Sequence, residues 1–331
     1  MRRLKVALNG PLGILGGHLA RHLEVDDGCR RLVLFDLVPP PRVLKKAFYY
    51  RVDLTEAAAS LKIAEALDRE RVDVLVHTAF LQHPIRNAGY ERELESLGTM
   101  HLLHALTQLR RRGAAPHLVL SSSTLVYGAR PDNPGFLSED APLAGRLDYP
   151  LVAEKIDAER QAVRFHEQEG GAVTILRTAP ILSSHVRTLA GRYLSLPAVP
   201  TILGFNPMIQ TVAIADATEA FARAILYADA VGPTGPLRVY NVCGDGVLPL
   251  HTATRLCGRR TVPLLRFAAN AMIEALFEAG LAIAPSAHLD YLQYPCVADG
   301  ARAKAELGFV PRQSTRDCMT SFARARVRAA A

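Results

Sequence analysis

The chain has 331 residues, 49% of them apolar and 21% charged, a globular balance that excludes a disordered polypeptide and leaves room for one large domain or two packed ones. The formal charge of +7 is scattered apart from a tail of Arg324, Arg326 and Arg328. No nucleic-acid-binding motif accompanies it, so a solvated basic surface suited to phosphorylated small molecules is expected and a nucleic-acid partner is not.

Met1-Arg2-Arg3-Leu4 leads straight into a strand-like run, which argues against a signal peptide. Strand signals follow at Lys5–Leu8, Leu32–Phe35, Val74–His77, His117–Leu120 and Val173–Leu176. Helical stretches lie between them at Leu15–Leu23, Leu54–Arg69, Leu97–Arg112 and Val152–Glu169. Strands so fully apolar, alternating with helices, predict a parallel sheet covered on both faces. From about Leu182 the alternation breaks at Pro197, Pro200 and Pro207. A helix over Asp216–Tyr227, a strand over Leu237–Val242 and helices over Pro249–Leu256 and Ala268–Ala279 come next. Asp216 reads as the cap of Ala217–Tyr227. The most apolar run, Ala268 to Pro285, is broken by Glu274 and Glu278, falls short of a membrane span and reads as a largely buried helix.

The turn after the first strand is Asn9-Gly10-Pro11-Leu12-Gly13-Ile14-Leu15-Gly16. Glycines at this spacing, between a strand and a helix, let backbone amides such as that of Leu15 approach a pyrophosphate at the positive helix end. Asp36 ends the second strand twenty residues after Gly16. A carboxylate there grips the adenosine ribose and repels a 2′-phosphate, which favours NAD over NADP, although Arg42 is placed to reach such a phosphate. The fold class expected is therefore α/β: a Rossmann doubly wound parallel sheet with a smaller mixed C-terminal substrate lobe. Residues 1–181 form the dinucleotide-binding domain and 182–331 the lobe, with the chain allowed to cross back, and the ligand is expected in the crevice between them.

Further segments carry a resemblance. They are Asp53-Leu54, Val76-His77-Thr78-Ala79, Gly98-Thr99, Ser121-Ser122-Ser123-Thr124-Leu125-Val126-Tyr127-Gly128, Ile175-Leu176-Arg177, Tyr240-Asn241-Val242 and Leu307-Gly308-Phe309. With the glycine turn, and in this order over about Lys5 to Phe322, they resemble the extended short-chain dehydrogenase/reductase family, nearest its UDP-glucose 4-epimerase and nucleotide-sugar dehydratase branch. The resemblance implies that Gly10, Gly13, Leu15, Gly16, Asp36, Asp53, Leu54, Thr78, Ala79 and Lys155 hold NAD. It implies Ser123 as the catalytic hydroxyl, and a homodimer built on Leu97–Arg112 and Val152–Glu169.

Chemistry of this kind needs a Tyr phenol one helical turn before a Lys, so that the ammonium assists proton exchange by the phenol. Four residues before Lys155 stands Leu151. Tyr149, six before, falls on the far side of a helix at about 100° per residue. Pro150 as first helical residue would leave Tyr149 outside the helix as a displaced acid; packing at the helix entrance is the alternative. Glu95 stands where the family usually has Asn, and Pro180 where many epimerases have a substrate-contacting Asn. Three readings remain: an NAD-dependent epimerase/dehydratase-like enzyme acting on a nucleotide sugar; a reductase or dehydrogenase on another hydroxyl or carbonyl compound, steroid-like or isoprenoid; and a non-catalytic dinucleotide sensor or scaffold. The serines lack a G-x-S-x-G elbow, so a hydrolase is not expected. His101 and His104 lack a carboxylate cluster, and five cysteines without a C-x-x-C pair argue for a reducing cytoplasm and against zinc or disulfides. Tyr127 reads equally as a substrate contact or as packing beneath its loop.

Overall fold

Runs such as Leu32-Val33-Leu34-Phe35 have no polar face to turn to water, so they pair side by side in the interior. A computed structural model describes residues 3–113, 116–183 and 188–330; Met1-Arg2 and the side chain of Arg328 lie outside the described residues. The strands are β1 (Leu4–Asn9), β2 (Cys29–Asp36), β3 (Ala47–Arg51), β4 (Val74–His77), β5 (His117–Ser123), β6 (Val173–Thr178), β7 (Ile181–Leu182), β8 (Ala198–Ile202), β9 (Met208–Ile209), β10 (Val212–Ala213), β11 (Arg238–Val242), β12 (Leu248–Pro249) and β13 (Arg260–Leu264). The helices are α1 (Ile14–Val25), α2 (Ala59–Glu70), α3 (Ala88–Arg92), α4 (Gly98–Arg111), α5 (Pro150–Glu169), α6 (Leu189–Tyr193), α7 (Ile214–Val231), α8 (Leu250–Leu256), α9 (Arg266–Glu278), α10 (Asp290–Gln293), α11 (Ala301–Glu306) and α12 (Thr315–Ala330).

A seven-stranded sheet, parallel throughout, runs β11-β6-β5-β4-β1-β2-β3. The order reverses between β1 and β4, which opens a crevice at their C-terminal ends. On one face α1 and α7 cover the sheet through Leu15, Leu19, Leu23, Phe221 and Ile225. On the other, α2, α4 and α5 cover it through Ile63, Leu67, Leu102, Leu106, Ala158 and Ala162. The chain leaves after β6 and returns with α7 and β11. The intervening and C-terminal segments build a smaller lobe from the pairs β8/β13, β9/β12 and β7/β10, around Val199, Ile202, Leu250, Leu289 and Met319.

Several local expectations need correction. Helix α2 begins at Ala59, not Leu54, because Asp53 folds a turn by accepting hydrogen bonds from the Thr55 amide (2.9 Å) and hydroxyl (2.7 Å). Asp216 does not cap its helix: α7 starts two residues earlier, and the buried carboxylate accepts from the Gln313 amide at 3.0 Å. Helix α9 is not largely buried. Only Ala269 and Phe277 are, while Phe267 is 79% exposed. Strands β3, β8 and β13 carry too little apolar regularity to be read from sequence. Among the described residues, no helix is long and apolar enough to cross a membrane.

Candidate functional site

The turn between β1 and α1 is built on contacts too close for side chains. Gly10 has φ of 86°, and a Cβ there would lie 2.7 Å from the Ala79 backbone. A Cβ on Gly16 would lie 2.0 Å from the Gly10 carbonyl oxygen, so α1 meets the loop backbone directly. Gly13 donates its amide to the Gly10 carbonyl at 3.1 Å and stands at the N-cap of α1. No side chain caps that helix end and its first turn holds no acid, so the positive end, including the Leu15 amide, has no counter-charge of its own. Leu15 itself points into the core.

Asp36, at the end of β2, accepts from the Leu12 amide at 3.1 Å and the Leu37 amide at 2.8 Å, which fixes it beside the loop. Burial pushes its carboxyl above the ordinary carboxylate range against the pull of these two amides. Arg42 is exposed on the segment beyond. Thr78 donates its hydroxyl to the Asn9 carbonyl at 2.9 Å, closing the crevice floor between β1 and β4, with Ala79 against Gly10. Leu54 is buried and packs so tightly on the start of α4 that a Cβ on Gly98 would approach it to 3.1 Å. Glycines without room for side chains, an uncapped helix end and an anchored carboxylate form a cradle that could hold a dinucleotide, with α1 available to its pyrophosphate and Asp36 to its adenosine ribose.

Beneath the crevice runs a buried relay. The Asn9 amide nitrogen donates to His77 Nδ1 (3.2 Å), whose Nε2 donates to Thr99 Oγ1 (3.1 Å), which in turn donates to the Glu95 carbonyl (2.5 Å). Burial pushes the imidazole down to about 3, so it stays neutral and keeps this pattern. The relay anchors a π-helical turn, Glu93–Leu97, at which Glu95 turns inward. There Glu95 Oε1 accepts from the Leu81 amide (2.5 Å) and Oε2 from Lys155 Nζ (3.1 Å), while Lys155 also donates to the Leu81 carbonyl (3.2 Å). Both side chains are nearly or wholly inaccessible. Burial pushes the Glu95 carboxyl up, opposed by the Lys155 charge. Glu91, on α3, is buried with no hydrogen-bond partner on either oxygen. Its carboxyl is pushed up to about 7, first by burial and then by the charge of Glu95.

Lys155 and Ser123 line one cleft between the sheet and the smaller lobe, and Leu151 faces it too. Ser123 ends β5 and accepts from the Leu125 amide at 3.3 Å. Tyr149 does not line the cleft. Pro150 is the first residue of α5, and Tyr149, just outside the helix, is wholly buried behind the wall, its hydroxyl hydrogen-bonded with His288 Nδ1 at 3.3 Å and its ring against Tyr291. Of the three proton-handling residues expected, two line one cleft and the phenol packs at the helix entrance. Tyr127 is buried as well, bound to Asn241 (2.6 Å) and Arg177 (2.9 Å) under the loop. The sequence reading missed Tyr193, His288 and Tyr291, which line the cleft, and the buried Glu91. Only the fold brings them to these places, and no local motif announces it. No cluster of His, Cys, Asp or Glu able to hold a metal occurs among the described residues.

The likenesses to known proteins extend over nearly the whole chain. An uncharacterized protein of Mycobacterium tuberculosis (strain ATCC 25618 / H37Rv) is 28% identical over 97% of this chain and 84% of its own length, as is one of Mycobacterium bovis. Among solved structures, MoeE5 in complex with UDP-glucuronic acid and NAD superposes with a TM-score of 0.72 at 20% identity, over 98% of this chain and 99% of that one. DesIV, the dTDP-glucose 4,6-dehydratase of Streptomyces venezuelae, gives 0.73 at 18% identity, over 98% and 97%. At such identities these structures speak for the fold. The model of the NAD dependent epimerase/dehydratase family matches residues 6–243, the span that builds the glycine turn, the Asp36 anchor and all but the first two residues of the parallel sheet, and the chain belongs to that family.

Proposed function

We propose that the protein is an NAD-dependent oxidoreductase of the epimerase/dehydratase kind, acting on a hydroxyl- or carbonyl-bearing carbon held in the cleft at Ser123 and Lys155. The observation that carries this is the adjacency of two built features: the side-chain-free cradle at the start of α1 and a cleft that presents an ammonium and a hydroxyl. NAD would supply hydride acceptance and donation. Asp36 would hold the adenosine ribose and favour NAD over NADP. Lys155, fixed by Glu95 and Leu81, would offer its ammonium to the nicotinamide ribose, and Ser123 would orient the substrate oxygen.

Nucleotide sugars are the first substrate class to test, because solved neighbours of this fold hold them: UDP-glucuronic acid in MoeE5 and UDP-glucose in the epimerase of Thermotoga maritima. A non-sugar alcohol or ketone is favoured by a different observation, the apolar walls of the cleft. The same reading takes the protein as cytoplasmic and as a homodimer through the outer faces of α4 and α5, where Met100 is exposed.

The test is direct. Acid release and mass spectrometry identify any bound nucleotide; incubation with NAD and a substrate panel then reports reduced cofactor and altered substrate. Lys155→Ala should lower turnover at least 100-fold. Turnover unchanged in that variant removes Lys155 from the chemistry, and tight NAD binding without turnover on any substrate favours the sensor reading.

A further inference from the structure

We propose that the cleft takes an uncharged, predominantly apolar alcohol or ketone, of fused-ring or prenyl type, and that it excludes a nucleoside diphosphate. The inference rests on the hydride-transfer reading above and names the substrate class of that same site. Its first support is the wall. Leu151 on α5, Ile181 on β7, Leu189 on α6, Leu250 on α8, Leu292 on α10 and Met319 on α12 converge on one space from six elements. The cleft measures about 140 Å³ and opens to solvent, so it seats about one ring's worth of a larger apolar molecule, the reacting end, and leaves the rest outside.

The second support is charge. A diphosphate brings two negative charges and is normally met by arginine forks, lysines or free helix amides. Among the described residues lining the cleft, Lys155 is the only one with a charged side chain, and its ammonium already faces the Glu95 carboxylate at 3.1 Å. His288 adds no charge at neutral pH, because burial pushes its imidazole down to about 4. From these described residues a diphosphate would gain no free counter-ion for the hydration it loses, and burial of that kind is strongly unfavourable.

The third support is how the wall's polar groups are spent. Gln210 uses both ends of its amide on Ala298, donating to the carbonyl (3.1 Å) and accepting from the amide (2.9 Å). The phenols of Tyr193 and Tyr291 donate to the carbonyls of Pro200 and Leu125, each at 2.7 Å. Thr178 donates to the Ser122 carbonyl at 3.0 Å. A sugar needs several donors and acceptors arrayed around its ring, and these groups are turned away from it. Among the described lining, Ser123 and Lys155 are placed to hold the reacting oxygen, and Gln82, Thr188 and Thr211 are further polar side chains beside the apolar wall. Oxidation of such an alcohol breaks its carbinol C–H and O–H bonds. The hydride goes to NAD⁺, giving NADH, the proton is released, and one carbonyl compound forms per NADH.

The experiment uses the full chain saturated with NAD, with farnesol, dehydroepiandrosterone, UDP and UDP-glucose as probes. Binding is read by calorimetry and turnover by NADH absorbance. At least one apolar probe should bind with a Kd below 100 μM and release NADH, while UDP and UDP-glucose should show no binding at 1 mM. Leu250→Arg should weaken the apolar probe at least 10-fold with NAD affinity unchanged, and Leu250→Ala, the milder variant, should weaken it about 3-fold. Binding of UDP or UDP-glucose overturns the proposal, and so does failure of both apolar probes to bind. Loss of the hydride-transfer reading gives a separate signature: an apolar probe that binds without NADH release, or no binding of NAD.

Discussion

Glu91 and Glu95 stand one helical turn apart beside a single ammonium, and only Glu95 pairs with it. Two buried carboxylates cannot both ionise cheaply around one cation, so the unpaired one keeps its proton. A glutamate ordinarily titrates near 4.5, and Glu91 is pushed up to about 7. Below pH 4.5 the carboxyl is protonated in both folded and unfolded chains. Between 4.5 and 7 the unfolded chain releases a proton that the folded chain retains, so stability falls as pH rises, and the loss is complete above 7. The shift corresponds to roughly 3 kcal/mol at most, which solvent screening brings down to about 1–2 kcal/mol. Glu91→Gln, neutral and of the same shape, should melt several degrees higher than the parent at pH 8 and equally at pH 4. Melting curves at the two pH values check this; an unchanged or lower Tm at pH 8 would mean that Glu91 carries its charge comfortably. Nothing in the sequence near Glu91 marks this. The reading reached Glu95 by its place in a motif, whereas the partnerless state of Glu91 is a property of its surroundings.

Helices α1 and α5 show how far spacing along an element can be read. On α1, glycines three apart put bare backbone against the loop, and that was legible because no other residue type fits. Gly16→Ala would drive a Cβ against the Gly10 oxygen. The contact can be relieved only by moving α1 off the sheet, so a loss of about 2–3 kcal/mol and a fall in NAD affinity of at least 10-fold should appear together in melting and titration. Normal NAD affinity in that variant would place the pyrophosphate elsewhere. On α5, the four-residue step to Lys155 ends at Leu151, which lines the cleft as a tyrosine there would. Leu151→Tyr should set a phenol beside the ammonium and raise turnover of an accepted substrate by at least 10-fold. A fall in turnover, with NAD affinity intact, would show that the apolar wall itself is needed at that position. Helix α9 marks the limit. Its apolar run suggested burial, but periodicity reports only which residues share a face, and among the described residues most of that helix stays uncovered.

Across the whole molecule, the parallel sheet was legible from its apolar strands; the returning helix and strand were legible as elements, but their place in the sheet was not, because it depends on a segment that returns after the lobe has begun. Helix α7 lies on α1, and β11 adds the outermost strand beside β6 in parallel register. Ala217, Ala220, Phe221, Ala224 and Ile225 are buried in the same core as Leu15, Leu19 and Leu23. A chain ending at residue 181 would therefore expose the flank of α1 and the part of the sheet that α7 covers, and leave the edge of β6 unpaired. Each large side chain stripped of its partners forfeits about 1.5–3 kcal/mol, and a domain's total stability is only about 5–15 kcal/mol. A fragment of residues 1–181 should then be unfolded or aggregated, with no cooperative melt. Residues 1–243 restore α7 and β11, so that longer fragment should recover a melting transition and NAD binding, even though the substrate cleft is incomplete without α8, α10 and α12. Circular dichroism and NAD titration of the two fragments separate the outcomes. A shorter fragment that melts cooperatively and binds NAD would make residues 1–181 a self-sufficient domain and reduce α7 and β11 to a cover.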